Sequence, residues 1–300
     1  MTPRAAGGIA AGLAAGALWG LVFVAPRMVG NFGMVDITAA RFVVFGAAAA
    51  LALGSRPAGV RWPRVRQGVA ALGLSVLGFT GYYLLLAFSI AAAGTAVPSL
   101  IIGTIPVWMM LLGRPAGLRM QALLPGLLLT AAGIALMVAG AWPGESAGGI
   151  HFTWGLGLAL LAMASWTAFG LLNAAWLQRH PDVHAADWAN WLGIATGLGA
   201  LLLWLAAGSD IGTLRAQPDV ALFTVIALAG GIGSTWLATV LWNVASQRLS
   251  ASLCGQLIVS ETLFALLYSF LWDGRWPRAG EMAAALLFVL GILASIRAHR

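Results

Sequence analysis

The sequence predicts an all-α polytopic membrane protein, with ten transmembrane helices arranged as two inverted five-helix repeats and both termini cytoplasmic. Three observations carry that expectation. The 300-residue chain is 61% hydrophobic and only 8% charged, whereas a soluble domain carries about 25% charged residues. The apolar residues gather into ten continuous runs. The two halves of the chain then repeat one order of motifs.

The runs are 8–28, 35–54, 69–91, 94–113, 121–140, 154–177, 185–207, 219–246, 250–272 and 279–297. Roughly 20 helical residues cross the hydrocarbon core of a bilayer. Lipid offers no partner for an unpaired backbone group, so a spanning segment is a helix or part of a closed barrel. Barrel strands alternate apolar and polar residues; these runs do not.

The first run follows a positively charged start and superficially reads as a signal peptide. It is long, and further runs follow, so it is expected to remain as an uncleaved first span. Turn chemistry ends several others. Gly54-Ser55-Arg56-Pro57 closes the second, Gly113-Arg114-Pro115 the fourth, Trp142-Pro143-Gly144 the fifth and Asp273-Gly274-Arg275-Trp276-Pro277 the ninth. Proline removes a donor and glycine frees φ, so both stop helices. The joints near 92–94 and 247–250 leave so few residues that spans three and four, and eight and nine, must be antiparallel hairpins.

Arginine placement sets the orientation. With the N-terminus in the cytoplasm, the cytoplasmic segments hold Arg4, Arg56, Arg61, Arg64, Arg66, Arg114, Arg119, Arg179, Arg248, Arg297 and Arg300. The other side holds Arg27, Arg215, Arg275 and Arg278, and Arg41 is left inside the second span. Arg41 can attract a carboxylate or snorkel to the interface, and snorkelling is the preferred reading.

Several function classes fall away. The net charge of +7 comes from arginines at the ends of apolar runs, with no lysine and no basic cluster among stacking aromatics, so nucleic acid is not an expected partner. A P-loop needs a lysine, so direct ATP drive is excluded. His151, His180, His184 and His299 lie in loops or the tail, and no acidic pair or metal-binding motif sits at mid-membrane. An intramembrane enzyme is therefore not expected, nor a metal or a cofactor. The single Cys254 can form no internal disulfide and reads as a small packing residue.

The repeat joins AAGTAVPSLIIGTIPVW at 92–108 to RLSASLCGQLIVSETLF at 248–264, aligned without a gap. GALWGLVF around Trp19 likewise matches MASWTAFG around Trp166. The expected units are 1–145 and 146–300, together one transporter domain. Five spans per unit is an odd number, so the second copy enters the membrane from the opposite side. Inverted repeats of this kind build transporters with a midplane site and alternating access.

Glu261 lies midway along the ninth span. A charge at that depth costs on the order of 2.5–3.5 kcal/mol and faces a bundle interior or a wet cavity. It can take and release a proton or meet a substrate amino group. Alternatively it is a structural carboxyl bonded to Asn243, Gln256 or backbone. Midspan aromatics can line a cavity for a planar or apolar solute, and Trp19, Tyr82 and Trp166 stand first. Tyr83, Ser99, Pro106, Trp236, Asn243 and Gln256 complete the candidate lining. Pro98 and Pro106 place a kink in the fourth span, as a hinge or as static packing.

Four stretches, ALWGLVFVAPRMV, DITAARFVVFGAAA, SLIIGTIPVW and SASLCGQLIVSETLFALL, resemble the drug/metabolite transporter superfamily in its EamA-type branch. Within it the chain is most similar to aromatic amino-acid exporters of the YddG type. The ninth span departs from the Glu-Pro or Thr-Pro of that family by having Glu261-Thr262. The resemblance implies a ten-helix carrier of the bacterial inner membrane that exports small organic metabolites, aromatic or neutral amino acids first. The central cavity would be lined by spans 1, 3, 4, 6, 8 and 9. Proton coupling and facilitated diffusion both fit, as do transport of another metabolite or drug, in either direction, and a channel.

Overall fold

A computed structural model describes residues 2–24, 28–29, 31–55, 62–94, 96–141, 150–274 and 276–299. The described residues form helices and connections, with no strand among them. Helix α1 is Pro3–Gly20, capped by the Thr2 hydroxyl, which accepts from the Ala5 N–H at 3.3 Å. Then come α2 (Met34–Gly54), α3 (Val65–Ala93), α4 (Ala96–Ile102), α5 (Ile105–Leu112), α6 (Met120–Ala141) and α7 (Ile150–Arg179). They are followed by α8 (Ala185–Ala207), the short α9 (Ile211–Ala216), α10 (Val220–Arg248), α11 (Ala251–Asp273) and α12 (Ala279–Ala298).

Eight of these, α2, α3, α6, α7, α8, α10, α11 and α12, are long and apolar enough to cross a membrane. The other two expected spans fall short of that measure. Helix α1 is rich in alanine and glycine and includes Arg4. The fourth is broken into α4 and α5 at Gly103-Thr104. Pro106 cannot donate to the preceding turn, and Thr104 turns its hydroxyl onto the Ile101 carbonyl at 2.7 Å. The expected kink is therefore a full interruption. The joint near 247–250 is as tight as its length demands: Leu249 and Ser250 alone separate α10 from α11, and the Ser250 hydroxyl caps α11 by accepting from the Leu253 N–H. The Trp142-Pro143-Gly144 turn and the boundary between the two expected units lie outside the described residues.

Helices pack in pairs that relate the first half to the second. Helix α2 lies along α8, α6 along α12, α3 along α7, α1 along α10 and α11, and α5 along α11. Small residues permit the closest approaches, as expected where van der Waals contact replaces the hydrophobic effect. Gly46 of α2 and Gly197 of α8 meet so closely that a Cβ on either would lie 2.8 Å from the other Cα. Along α1, Gly8, Gly12, Gly16 and Gly20 recur every fourth residue and form one face. A Cβ on Gly12 would lie 2.7 Å from Leu257, one on Gly20 would lie 2.9 Å from the Ala265 nitrogen, and one on Gly16 would overlap Ser260.

Two helices contain wide π turns, at 76–80 in α3 and at 230–237 in α10. The carbonyls such turns release find hydroxyl donors. Ser165 of α7 donates to the Leu77 oxygen at 2.7 Å, and Thr235 donates to the Gly230 oxygen at 2.9 Å. In α3 the turn also seats Gly78 directly against the Phe169 ring. π turns occur often beside functional sites.

Candidate functional site

Helix α11 divides in two at the expected midspan carboxyl. From Ser252 to Ser260 every residue is buried; from Glu261 to Leu266 every residue is only partly buried. The first half is thus enclosed by protein on all sides, and no face of the next turn and a half is fully covered. The closed half is clasped by α5. The Ser252 N–H donates to the Gly113 oxygen at 3.1 Å, the Ser252 hydroxyl donates to the Met110 oxygen at 3.1 Å, and Gly255 sits against Met109. At the same end Gln178 donates to the Ser246 and Leu249 oxygens at 3.0 and 2.9 Å, and Gln247 to the Val183 oxygen at 2.8 Å. At the opposite end, bonds join α3 to α7 through the Ser89 hydroxyl and the Gly155 oxygen, and α2 to the segment after α8 through Asp36 and Ser209. Among the described residues α4 has no packing on α11 comparable to that of α5.

Beside the division lies a chain of rings. Trp19, Trp166 and Trp242 form a triangle with centroids 5.3–6.2 Å apart, joining α1, α7 and α10. From Trp166 the contacts continue through Phe169, Phe79, Phe42 and Tyr83 to Tyr82, each step between 5.0 and 5.9 Å. Most steps are edge-on, an arrangement aromatic quadrupoles favour. Trp242 is fully buried at the base of the triangle, while Trp19 and Trp166 stay half-buried.

Glu261 and Arg41 face this arc. Arg41 is 9% exposed, and its guanidinium carbon lies 4.8 Å from the centres of both the Phe42 and Tyr83 rings. It does not snorkel: α10 covers its stem, with Gly230 over the side-chain methylenes. Among the described residues its Nε has no hydrogen-bond partner. Arg41 acts electrostatically on Glu261, and both act on Tyr82. The structural alternative for Glu261 loses its named partners, because both amides are engaged elsewhere. Asn243 accepts from Asn173 at 3.0 Å and donates to the Ala185 oxygen, while Asn173 accepts from the Trp188 N–H at 2.7 Å. Gln256 bonds to Thr130 and Ser295.

The sequence-derived candidates thus separate. Trp19 and Trp166 meet at one end of the aromatic arc and Tyr82 and Tyr83 at the other, with Glu261 in electrostatic reach of Tyr82. Ser99 is exposed and Pro106 buried, on either side of the break between α4 and α5. Trp236 is half-buried and donates to Asn190 at 2.8 Å. Asn243 and Gln256 are wholly enclosed in polar networks that join helices. Arg41, expected at the interface from its depth, packs inward against Phe42 and Tyr83 instead. A hollow of about 460 Å³ lined by Arg4, Leu177, Gln178, Pro181, Gln247 and Arg248 lies at the closed end, away from Glu261, and is a surface notch. No cluster of potential metal ligands occurs among the described residues.

Known proteins bear on this arrangement. A profile of the EamA-like transporter family matches residues 153–297. The chain is 30% identical over 309 residues to the inner membrane protein YtfF of Escherichia coli (strain K12), covering 97% of this chain and 95% of that protein. It is 26% identical over 278 residues to a probable terminal-alkyne amino-acid exporter of Streptantibioticus cattleyicolor, covering 92% and 88% respectively. A solved crystal structure shares the fold with a TM-score of 0.78 at 20% identity, covering 96% of this chain and 98% of its own.

Proposed function

The chain belongs to the EamA-like transporter family of the drug/metabolite transporter superfamily, and from that premise we propose that it is a secondary carrier that exports small organic metabolites, amino acids first, by alternating access. It is a transporter and not an enzyme, and it sits as a multi-pass protein in the bacterial inner membrane. The observation that carries the mechanism is the division of α11 at Glu261, with one half sealed and the other loosely covered. A midplane carboxyl at the boundary between a closed and an open half is where a carrier binds its solute.

The expected ten-span plan of two inverted units, 1–145 and 146–300, is supported by the pairing of helices. Exchanging the two halves turns the α3–α7 contact into the α10–α1 contact, and it maps the α2–α8 and α6–α12 pairs onto themselves. The π turns fall in corresponding helices, α3 and α10. With cytoplasmic termini, as the arginines require, the sealed end is cytoplasmic and the protein is open outward. The probable amino-acid exporter among the relatives supports amino acids as the solute class. The half-buried Trp19 and Trp166 support a planar or apolar side chain.

The test is uptake of radiolabelled amino acids by proteoliposomes preloaded with unlabelled solute, with and without a pH gradient. A carrier gives exchange-accelerated uptake. Glu261→Gln is expected to lower the rate at least tenfold, on the scale of a lost charge-assisted hydrogen bond, with unchanged elution from a sizing column. Uptake that preloading leaves unaltered would indicate a channel instead. Equal acceleration with and without the gradient identifies facilitated diffusion.

A further inference from the structure

We propose that Arg41 and Glu261 are the two poles of a zwitterion site, Arg41 receiving the carboxylate of an α-amino acid and Glu261 its ammonium group. This deepens the exporter reading and rests on it, since it names the groups that recognise the backbone of the solute rather than its side chain.

The argument begins with the arginine. Taking an ion out of water costs several kcal/mol even after the protein relaxes. Two ring faces at 4.8 Å return about 0.5–2 kcal/mol each. The rings alone do not balance the charge. Only about a tenth of Arg41 is exposed, its Nε donor is unpaired, and among the described residues it forms no ion pair. The carboxylate that acts on it electrostatically is Glu261, and no contact pair joins them. Two opposite charges within electrostatic reach of each other and not in contact are well placed for a solute that carries both charges. Arginine is also the side chain whose planar fork of donors fits a carboxylate, two bonds at a time.

The surroundings fit the same solute. Tyr82 feels both poles and stacks edge-on with Tyr83, whose ring lies beneath the guanidinium. Residues 261–266 are the part of α11 that is only partly buried, so Glu261 stands where the enclosure of the helix ends. The aromatic arc leads from there to Trp166 and Trp19, ring faces and edges that suit an apolar or planar side chain. Gly230 lies over the Arg41 stem, and a Cβ there would come within 3.5 Å of its methylenes, so the wide turn of α10 covers the stem.

The experiment uses the full chain in proteoliposomes and reads competition against a transported amino acid. Four competitors are compared: the amino acid, its primary amide, its decarboxylated amine and its desamino acid. The unaltered protein is expected to prefer the zwitterion over each one-ended analogue by about tenfold or more, the scale of one charge-assisted hydrogen bond. Arg41→Gln is expected to abolish the preference over the amide while keeping the preference over the desamino acid. Glu261→Gln is expected to do the reverse. Arg41→Lys, which keeps the charge but not the fork, is expected to retain a reduced preference over the amide; it also serves if Arg41→Gln fails to insert. Preferences that survive both substitutions overturn the proposal while leaving amino-acid export intact. So does an equal loss for every competitor, which marks Arg41 as structural. If no amino acid is transported at all, the exporter reading falls and this proposal with it.

Discussion

At the scale of single residues, the buried amides hold helices together, a role separate from the one proposed for Arg41 and Glu261. Asn173 accepts from Trp188 and donates to Asn243, all three fully enclosed. Replacing Asn173 with leucine strands the Trp188 N–H and the Asn243 oxygen. Each buried group left without a partner costs about 1–3 kcal/mol. Asn173→Leu is therefore expected to lower the thermal midpoint in detergent by several degrees, while residual transport per folded molecule stays close to normal. An unchanged midpoint would show that the network contributes little. The sequence announced Asn243 and Gln256 as candidate lining because they sit in apolar helices. It could not say that their partners were other helices, since a hydrogen bond across 70 residues leaves no local trace. Arg41 shows the converse. Its depth along α2 suggested a side chain reaching for the interface, but depth does not reveal which face meets Tyr83.

At the scale of elements, α1 contributes a smooth face rather than side chains. Gly8, Gly12, Gly16 and Gly20 bring its backbone against α10 and α11. Overpacking a tight contact costs about 1–3 kcal/mol, and here the nearest groups at Gly16 and Gly20 include backbone atoms that cannot turn aside. Gly16→Val is expected to lower both the midpoint and the amount of inserted protein, and Gly73→Val, with open space around it, to leave both unaltered; the check is fluorescence-detected chromatography of tagged variants. This four-residue spacing was readable in the sequence all along, hidden among alanines. The π turns of α3 and α10 were not readable, because a single extra residue per turn leaves the apolar pattern of a membrane helix intact. The break in the fourth span lay between: Pro106 marked the place, and Gly103-Thr104 decided that the helix would stop rather than bend.

At the scale of the whole molecule, eight of the ten spans expected from hydropathy are helices long and apolar enough to cross a membrane, and the carboxyl at which α11 changes character was legible too. What composition could not show is which end is shut. In a Cys254→Ser background, Thr262→Cys is expected to react with a membrane-impermeant maleimide added outside. Native Cys254, fully buried in the sealed half, is expected to resist the reagent from either side. Labelling of Cys254 from the cytoplasm in unliganded protein would reverse the assignment of the open end.

The fastenings of the sealed end have an energetic corollary. Gln178, Gln247 and Ser252 hold it through five bonds to backbone oxygens or from backbone nitrogen, and every group in them is uncharged. Such bonds contribute about 0.5–1.5 kcal/mol each, so unlatching them costs a few kcal/mol, comparable to the ~4 kcal/mol released by a millimolar ligand. Neutral latches are also indifferent to ionic strength. If the proposed alternating access holds, this end would open as readily in dilute as in concentrated surroundings, with the cargo itself as the hand on the lever.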